Sequence, residues 1–300
     1  MLLFIFNGIR VSIAMKSYIK LMRVRHYIKN LLVFAALACS GQLFDTSKLL
    51  AGLAGFGAFC MVSSAVYIIN DIKDKESDSR HPVKSSRPIA SGEVSVKRAA
   101  LLASVLLVAA FLCNLCVYKT ESSIFLLIYL ILNLAYSFGL KNVPLADVAI
   151  LASGFLIRVL YGSLIFGILV SDWLYLTVIA AAFYFALGKR RNELKKTENG
   201  ETRHVLKAYP INFLDKSMYM CLTLTNVFYA LWSMDDRTKA LYGSRNLVFT
   251  APIVLLITMK YCMDVEGDSD GDPVEVLMKD KALLALCAVY LAAMLAILYL

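Results

Sequence analysis

The chain has 300 residues, 59% of them hydrophobic, and a mean hydropathy of +0.67. A soluble domain carries roughly 45 to 50% apolar residues, so this composition excludes an ordinary soluble fold and predicts an all-α polytopic membrane protein. The net charge of +9 needs no nucleic-acid patch with interleaved aromatics to explain it, because membrane topology accounts for it.

A span takes about 20 mostly apolar residues. Nine segments qualify: 28–44, 49–69, 98–117, 122–140, 147–169, 173–188, 216–233, 247–263 and 282–299. An odd count puts the two termini on opposite faces. With the amino terminus inside, 25 of the 31 Lys and Arg residues fall on inner segments and five outside, with Arg158 inside a span. That asymmetry predicts an inside amino terminus and an outside carboxyl terminus.

Residues 1–15 lack both the basic region and the small-residue cleavage site of a signal peptide. They read as an extension or interfacial segment, or as a prelude to a start at Met15, ahead of a single domain over 16–300. Next comes R-H-Y-I-K-N, with Arg25 and Lys29 one helical turn apart before the first span. After the second span stands N-D-I-K-D-K-E-S-D-S-R-H-P-V-K-S-S-R-P-I-A-S-G, Asn70 to Gly92, with four carboxylates and five cations. If Asp71, Asp74 and Asp78 continue the preceding helix, they share a face and spread over about 10 Å. Such oxygen donors, with Lys84 and Arg87 downstream, suit Mg²⁺ bridging to a diphosphate.

The fourth and fifth spans are joined by Y-S-F-G-L-K-N-V-P-L-A-D, Tyr136 to Asp147. Gly154 and Arg158 then follow on the Asp147 face. A central Arg costs about 2.5 to 3.5 kcal/mol on insertion scales, so Arg158 calls for a cavity, a partner or an anionic ligand. Some 16 Å of helix separates it from Asp147. The sixth span ends in A-L-G-K-R-R-N-E-L, Ala186 to Leu194, where helix-capping cations are common. The acid-rich D-V-E-G-D-S-D-G-D-P-V-E before the last span reads as a solvated loop. Counted from Asp268, Pro273 and Lys279 occupy the positions where an EF-hand needs Gly and Glu. The seven cysteines lie in or beside spans and read as packing residues, and His26, His81 and His204 form no zinc or triad motif.

In this order the motifs resemble the intramembrane UbiA prenyltransferase superfamily, within it the decaprenyl-phosphate phosphoribosyltransferase branch. The resemblance covers about residues 16–299. It rests on R-V-R-H-Y-I-K-N, with Arg23, Arg25, Lys29 and Asn30 at the family's positions, on N-D-I-K-D-K-E-S-D running into H-P-V-K-S-S-R-P-I-A-S-G, on Y-S-F-G-L-K with Asp147, on G-F-L-I-R and on G-K-R-R-N-E-L. Val24 and Tyr27 depart from a frequent proline and tryptophan. The second acidic motif is reduced to Asp147, which favours the phosphoribosyl branch and speaks against a two-metal mechanism.

The resemblance implies nine helices around a central cavity, substrate access from the cytoplasm, a lateral opening to lipid and placement in a bacterial inner membrane. The implied reaction joins a polyprenyl phosphate to 5-phosphoribosyl diphosphate, releasing pyrophosphate. The lipid phosphate is already an anion, so the acceptor requires no dedicated base. In this scheme Asp71 and Asp74 hold Mg²⁺, with Asn70, Asp78 and Asp147 around it. Lys84, Arg87 and Lys141 neutralise the diphosphate. Lys29, Arg158, Lys189 and Arg190 bind the ribose 5-phosphate or the lipid phosphate, and Tyr136 faces the ribose. A homo-oligomer is compatible with the sequence. A prenyltransferase acting on an aromatic or glycerol-phosphate acceptor is the alternative, though it calls for a richer second acidic motif. A transporter calls for charges along a two-sided path, whereas the motif charges here cluster on one side.

Overall fold

Inside a bilayer no water satisfies backbone groups, so an apolar run must close its hydrogen bonds within itself as a helix. The computed structural model describes residues 15–117, 119–196, 204–242, 246–267, 269 and 271–299, and every regular element among them is helical. The proposed interfacial segment before Met15 lies outside the described residues, as do Asp268 and Asp270. Two compact units form, one from residues up to Leu31 with Leu50–Gly139, the other from Leu32–Leu49 with the chain from Leu140 on.

The first unit begins with a helix over 15–22, and a 3-10 helix, Val24–Phe34, starts in it. It then holds most of α1 (Thr46–Lys73), a short helix Lys75–Arg80, α2 (Val96–Leu115) and α3 (Ser122–Phe138). Its core joins Leu21, Ala65, Ile68, Ile89, Val94, Ala99 and Ala103. Ser17 donates to Glu93 Oε2 at 2.7 Å and Lys20 to the Ser86 carbonyl at 2.5 Å, so the first helix is tied to the segment that returns from the acidic motif. The buried Asn30 amide bonds Cys60 Sγ and Ser63 Oγ at 3.1 and 3.2 Å, fastening the 3-10 helix to α1.

In the second unit stand α4 (Ala146–Phe166), α5 (Asp172–Lys196), α6 (Ile211–Met234), α7 (Ala251–Glu266) and α8 (Lys281–Tyr299). Tyr184, Leu187, Leu214, Met218, Tyr261, Val265 and Leu283 pack the core where their ends meet. Gly162 lets α4 approach the preceding chain closely, since a Cβ there would lie 1.8 Å from the Val33 carbonyl oxygen.

Among the described residues, five helical stretches are long and apolar enough to cross a bilayer: Thr46–Lys73, Val96–Leu115, Ala146–Phe166, Asn246–Glu266 and Lys281–Tyr299. Ser122–Phe138 is apolar but shorter. The segment expected as the first span is instead the 3-10 helix followed by a single turn, Ala35–Ala38.

Candidate active site

The acidic motif bends where α1 ends, yet its hydrogen bonding carries on. Asp74 N–H reaches the Asn70 carbonyl at 2.9 Å and Asp78 N–H the Asp74 carbonyl at 2.8 Å. The carboxylates therefore stay in helical register and divide into two groups. Asp71 and Asp78 are buried and meet on one cation: Arg87 NH1 donates to Asp71 Oδ1 at 3.1 Å and to Asp78 Oδ2 at 2.6 Å. Asp74 turns to Asn70, whose Nδ2 donates to Asp74 Oδ2 at 3.1 Å while its Oδ1 accepts from Ser137 Oγ at 3.0 Å. Pro82, Pro88 and Gly92 shape the return of the chain that brings Arg87 back, with Gly92 at φ +81.

Arg23 completes this cluster. Its NH2 donates to Asp71 Oδ1 at 2.6 Å and its guanidinium stacks 4.7 Å from the Tyr67 ring centroid. Its φ of +53 is unusual for a residue with a side chain, a local strain held by these contacts. Both guanidinium contacts fall on Oδ1 of Asp71, and the carboxylates of Asp71 and Asp74 with the Asn70 amide oxygen are the hard oxygen donors gathered at this helix end. Among the described residues no three His, Cys, Asp or Glu side chains gather as a metal site. That donor set fits Mg²⁺, which takes one or two carboxylates and completes its shell with phosphate and water. Lys29, Lys84 and Tyr136 are half-buried in the same unit.

The second unit holds a separate polar cluster. Asp147 opens α4 fully buried, accepting from Arg190 Nε at 2.5 Å on Oδ2 and from the Tyr209 hydroxyl at 2.5 Å on Oδ1. Arg190, also fully buried, passes NH1 to Glu193 Oε2 at 2.5 Å. Burial and the bond to Asp147 push the Tyr209 hydroxyl up to about 12. Arg158 does not reach Asp147 but donates to the Gly154 carbonyl one turn back, inside α4. Lys141 lies half-buried on the turn Leu140–Asn142.

The loop expected to be solvated before the last span is in part packed. Asp272 is buried, accepts from Val274 N–H at 2.9 Å to cap Pro273–Lys279, and lies 3.9 Å from Lys189 Nζ. Gly271, at φ +72, rests on the end of α5, where a Cβ would come 2.8 Å from Lys189 Cα. Asn192 fixes the same loop by donating to the Val265 carbonyl at 2.7 Å and the Ser269 carbonyl at 3.2 Å.

Of the residues singled out from sequence, Asn70, Asp71, Asp74, Asp78 and Arg87 thus come together, as do Asp147 and Arg190. Ser137, Tyr209, Glu193 and Asp272 were not among them. Arg23 was visible in the basic motif, but nothing local marks Tyr209 as the partner of an acid 62 residues away.

The profile of the UbiA prenyltransferase family matches residues 31–259, and the chain belongs to that family of membrane-embedded helical proteins. Within it, the chain is 35% identical over 278 residues to the decaprenyl-phosphate phosphoribosyltransferase of Mycolicibacterium smegmatis, covering 88% of this chain and 87% of that one. The enzyme of the same name from Mycobacterium tuberculosis strain H37Rv is 30% identical over 280 residues, with 91% of each chain covered. In fold, a UbiA homolog from Archaeoglobus fulgidus solved with GPP and Mg²⁺ aligns with a TM-score of 0.70 at 19% identity, over 95% of this chain and 100% of that one.

Proposed function

We propose that this protein transfers 5-phosphoribose from 5-phosphoribosyl diphosphate to a polyprenyl phosphate and releases pyrophosphate, supplying a lipid-linked pentose for cell-envelope glycan. Similarity at 30 to 35% identity over most of the chain to enzymes of that name supports it. The observation that carries it is the return of Arg87 onto Asp71 and Asp78, which sets cations against oxygen donors at one helix end. Mg²⁺ bound by Asp74 and Oδ2 of Asp71 would supply positive charge to the departing pyrophosphate. Asn70, oriented by Ser137, would steady it. Arg87, Lys84, Lys141 and Arg23 would share the remaining charge, which grows mainly in the transition state.

The donor differs from a prenyl diphosphate in carrying a second phosphate. Of the four cations expected to serve it or the lipid phosphate, Arg158 and Arg190 are buried, whereas Lys29 and Lys189 keep surface access. We assign the second phosphate to Lys189 and the lipid phosphate to Lys29, with Tyr136 toward the ribose. No histidine base is needed, because the acceptor oxygen is already anionic. Charge asymmetry supports a cytoplasmic active site in a bacterial inner membrane, amino terminus inside and carboxyl terminus outside. The same reading takes nine spans: the five long apolar stretches, Ser122–Phe138, α5, α6 and the segment 28–44.

The test is lipid mass spectrometry on purified protein given Mg²⁺, polyprenyl phosphate and 5-phosphoribosyl diphosphate. Phosphoribosylated lipid with pyrophosphate release is expected, and no product from geranyl diphosphate with 4-hydroxybenzoate. Prenylation of the aromatic acid without phosphoribosylated lipid would move the assignment to a UbiA-type prenyltransferase.

A further inference from the structure

The Tyr209 hydroxyl makes two bonds at once. It donates to Asp147 Oδ1 at 2.5 Å and accepts from the Leu145 N–H at 2.6 Å. Leu145, at φ +65, is a left-handed residue without the freedom of glycine, and it opens α4 two positions before Asp147. One phenol therefore holds both a strained backbone and the acid that follows it. From Asp147 the network passes to Arg190 and Glu193. The next two side chains of α5 are tied as well, Arg191 to Asp215 Oδ1 at 2.7 Å and Asn192 to the Val265 carbonyl. Three consecutive residues thus anchor this end of α5, and beside them Lys189 keeps 34% of its side chain exposed with its Nζ 3.9 Å from Asp272 Oδ2.

We propose that Asp147 and Tyr209 are positioning residues: they lock Arg190, and with it the end of α5 that presents Lys189 to the donor phosphate, and Asp147 takes no metal. The proposal rests on the reading of the function above. A ligand oxygen must come within about 2.1 Å of Mg²⁺. Both Asp147 oxygens are fully buried and occupied, one of them by a guanidinium at 2.5 Å. A dication there would stand beside Arg190 or displace it, leaving a buried cation without its counter-ion. Asp71 differs, because its two guanidinium contacts share a single oxygen.

The full-length protein in lipid nanodiscs tests this with Mn²⁺ plus inorganic pyrophosphate as the probe, bound Mn²⁺ being read by electron paramagnetic resonance. Asp147→Asn and Tyr209→Phe should bind Mn²⁺ within about twofold of wild type, and Asp74→Asn should weaken it about tenfold or more. In turnover, Tyr209→Phe should raise KM for 5-phosphoribosyl diphosphate about tenfold, leaving kcat within about threefold and the Mg²⁺ half-saturation point unmoved. A tenfold loss of Mn²⁺ affinity in Asp147→Asn or Tyr209→Phe would make Asp147 a metal ligand and overturn the proposal. So would a Tyr209→Phe enzyme of lowered melting temperature whose KM is that of wild type. Should Asp147→Asn not fold, Tyr209→Phe decides alone, because it removes one hydroxyl only. Failure of the functional reading shows separately, as a wild-type protein that makes no phosphoribosylated lipid while the Mn²⁺ measurement still reports on Asp147.

Discussion

Replacing Arg87 by methionine separates its structural from its chemical role. Its NH1 bonds buried Asp71 at 3.1 Å and buried Asp78 at 2.6 Å. A hydrogen bond to a charged group contributes about 1.5 to 3 kcal/mol. Arg87 is 25% exposed, so water recovers part of the loss, and Arg23 still serves Asp71. Asp78 has no other side-chain partner among the described residues, so most of the penalty falls there. Arg87→Met is therefore expected to destabilise by about 2 to 4 kcal/mol, roughly 4 to 8 °C in melting temperature for a long chain. Adding Asp78→Asn removes the stranded charge and should restore at least half of that loss. Turnover should not return, because the cation assigned to the leaving diphosphate is still missing. Scanning fluorimetry in detergent and the lipid assay read the two effects separately. If the double variant regains activity along with stability, Arg87 is a counter-ion for Asp78 and nothing more. A single variant melting within about 1 °C of wild type would refute the buried network itself.

Four further outcomes follow, three from the geometry and one from the charge asymmetry. Gly162→Ala drives a Cβ to 1.8 Å from the Val33 carbonyl, whereas Gly57→Ala meets only Cys113 Sγ at 3.9 Å. The first should cost about 1 to 3 kcal/mol or more and the second almost nothing, by thermal melting; equal shifts would deny the close approach. Asp71→Asn and Asp74→Asn should each abolish Mg²⁺-dependent turnover in folded protein, and Asp236→Asn, at a side chain 98% exposed, should not, as kinetics at matched protein levels will tell. Single cysteines at 84 and 195 should resist an impermeant thiol reagent in intact cells while one at 237 reacts, and the reverse pattern would invert the topology. With its hydroxyl pushed from about 10 up to about 12, Tyr209 lends its full stabilisation below about pH 10 and loses it as pH rises toward 12, so the melting advantage of wild type over Tyr209→Phe should vanish across that window.

The acidic cluster was legible because its chemistry is local. Asn70, Asp71, Asp74 and Asp78 lie within one stretch of helix, and Arg87 is nine residues further on. Spacing alone predicted Asp71, Asp74 and Asp78 on one helical face. Which oxygen bonds which cation was not legible, since the division of Asp71 and Asp78 from Asp74 depends on Arg23 and Ser137, brought from 48 and 67 residues away. The helical class followed from composition. The length of each span did not, because Val24–Phe34 winds as a 3-10 helix around a buried Asn30 that no apolar count weighs.

The second cluster shows why charge near the bilayer is easier to notice than to pair. Asp147 and Arg158 share a face of one helix, and the buried Arg158 called for a cavity, a partner or a ligand. Helical rise forbids them to meet directly, so the partner of Asp147 had to come from elsewhere. Arg190 supplies it from 43 residues downstream, and Tyr209 adds a neutral donor that no count of charges would reveal. Arg158 donates to the Gly154 carbonyl of its own helix. A lone acid in the second motif is thus spoken for by the protein itself, which is why the proposed reaction draws its metal-binding carboxylates from the first motif.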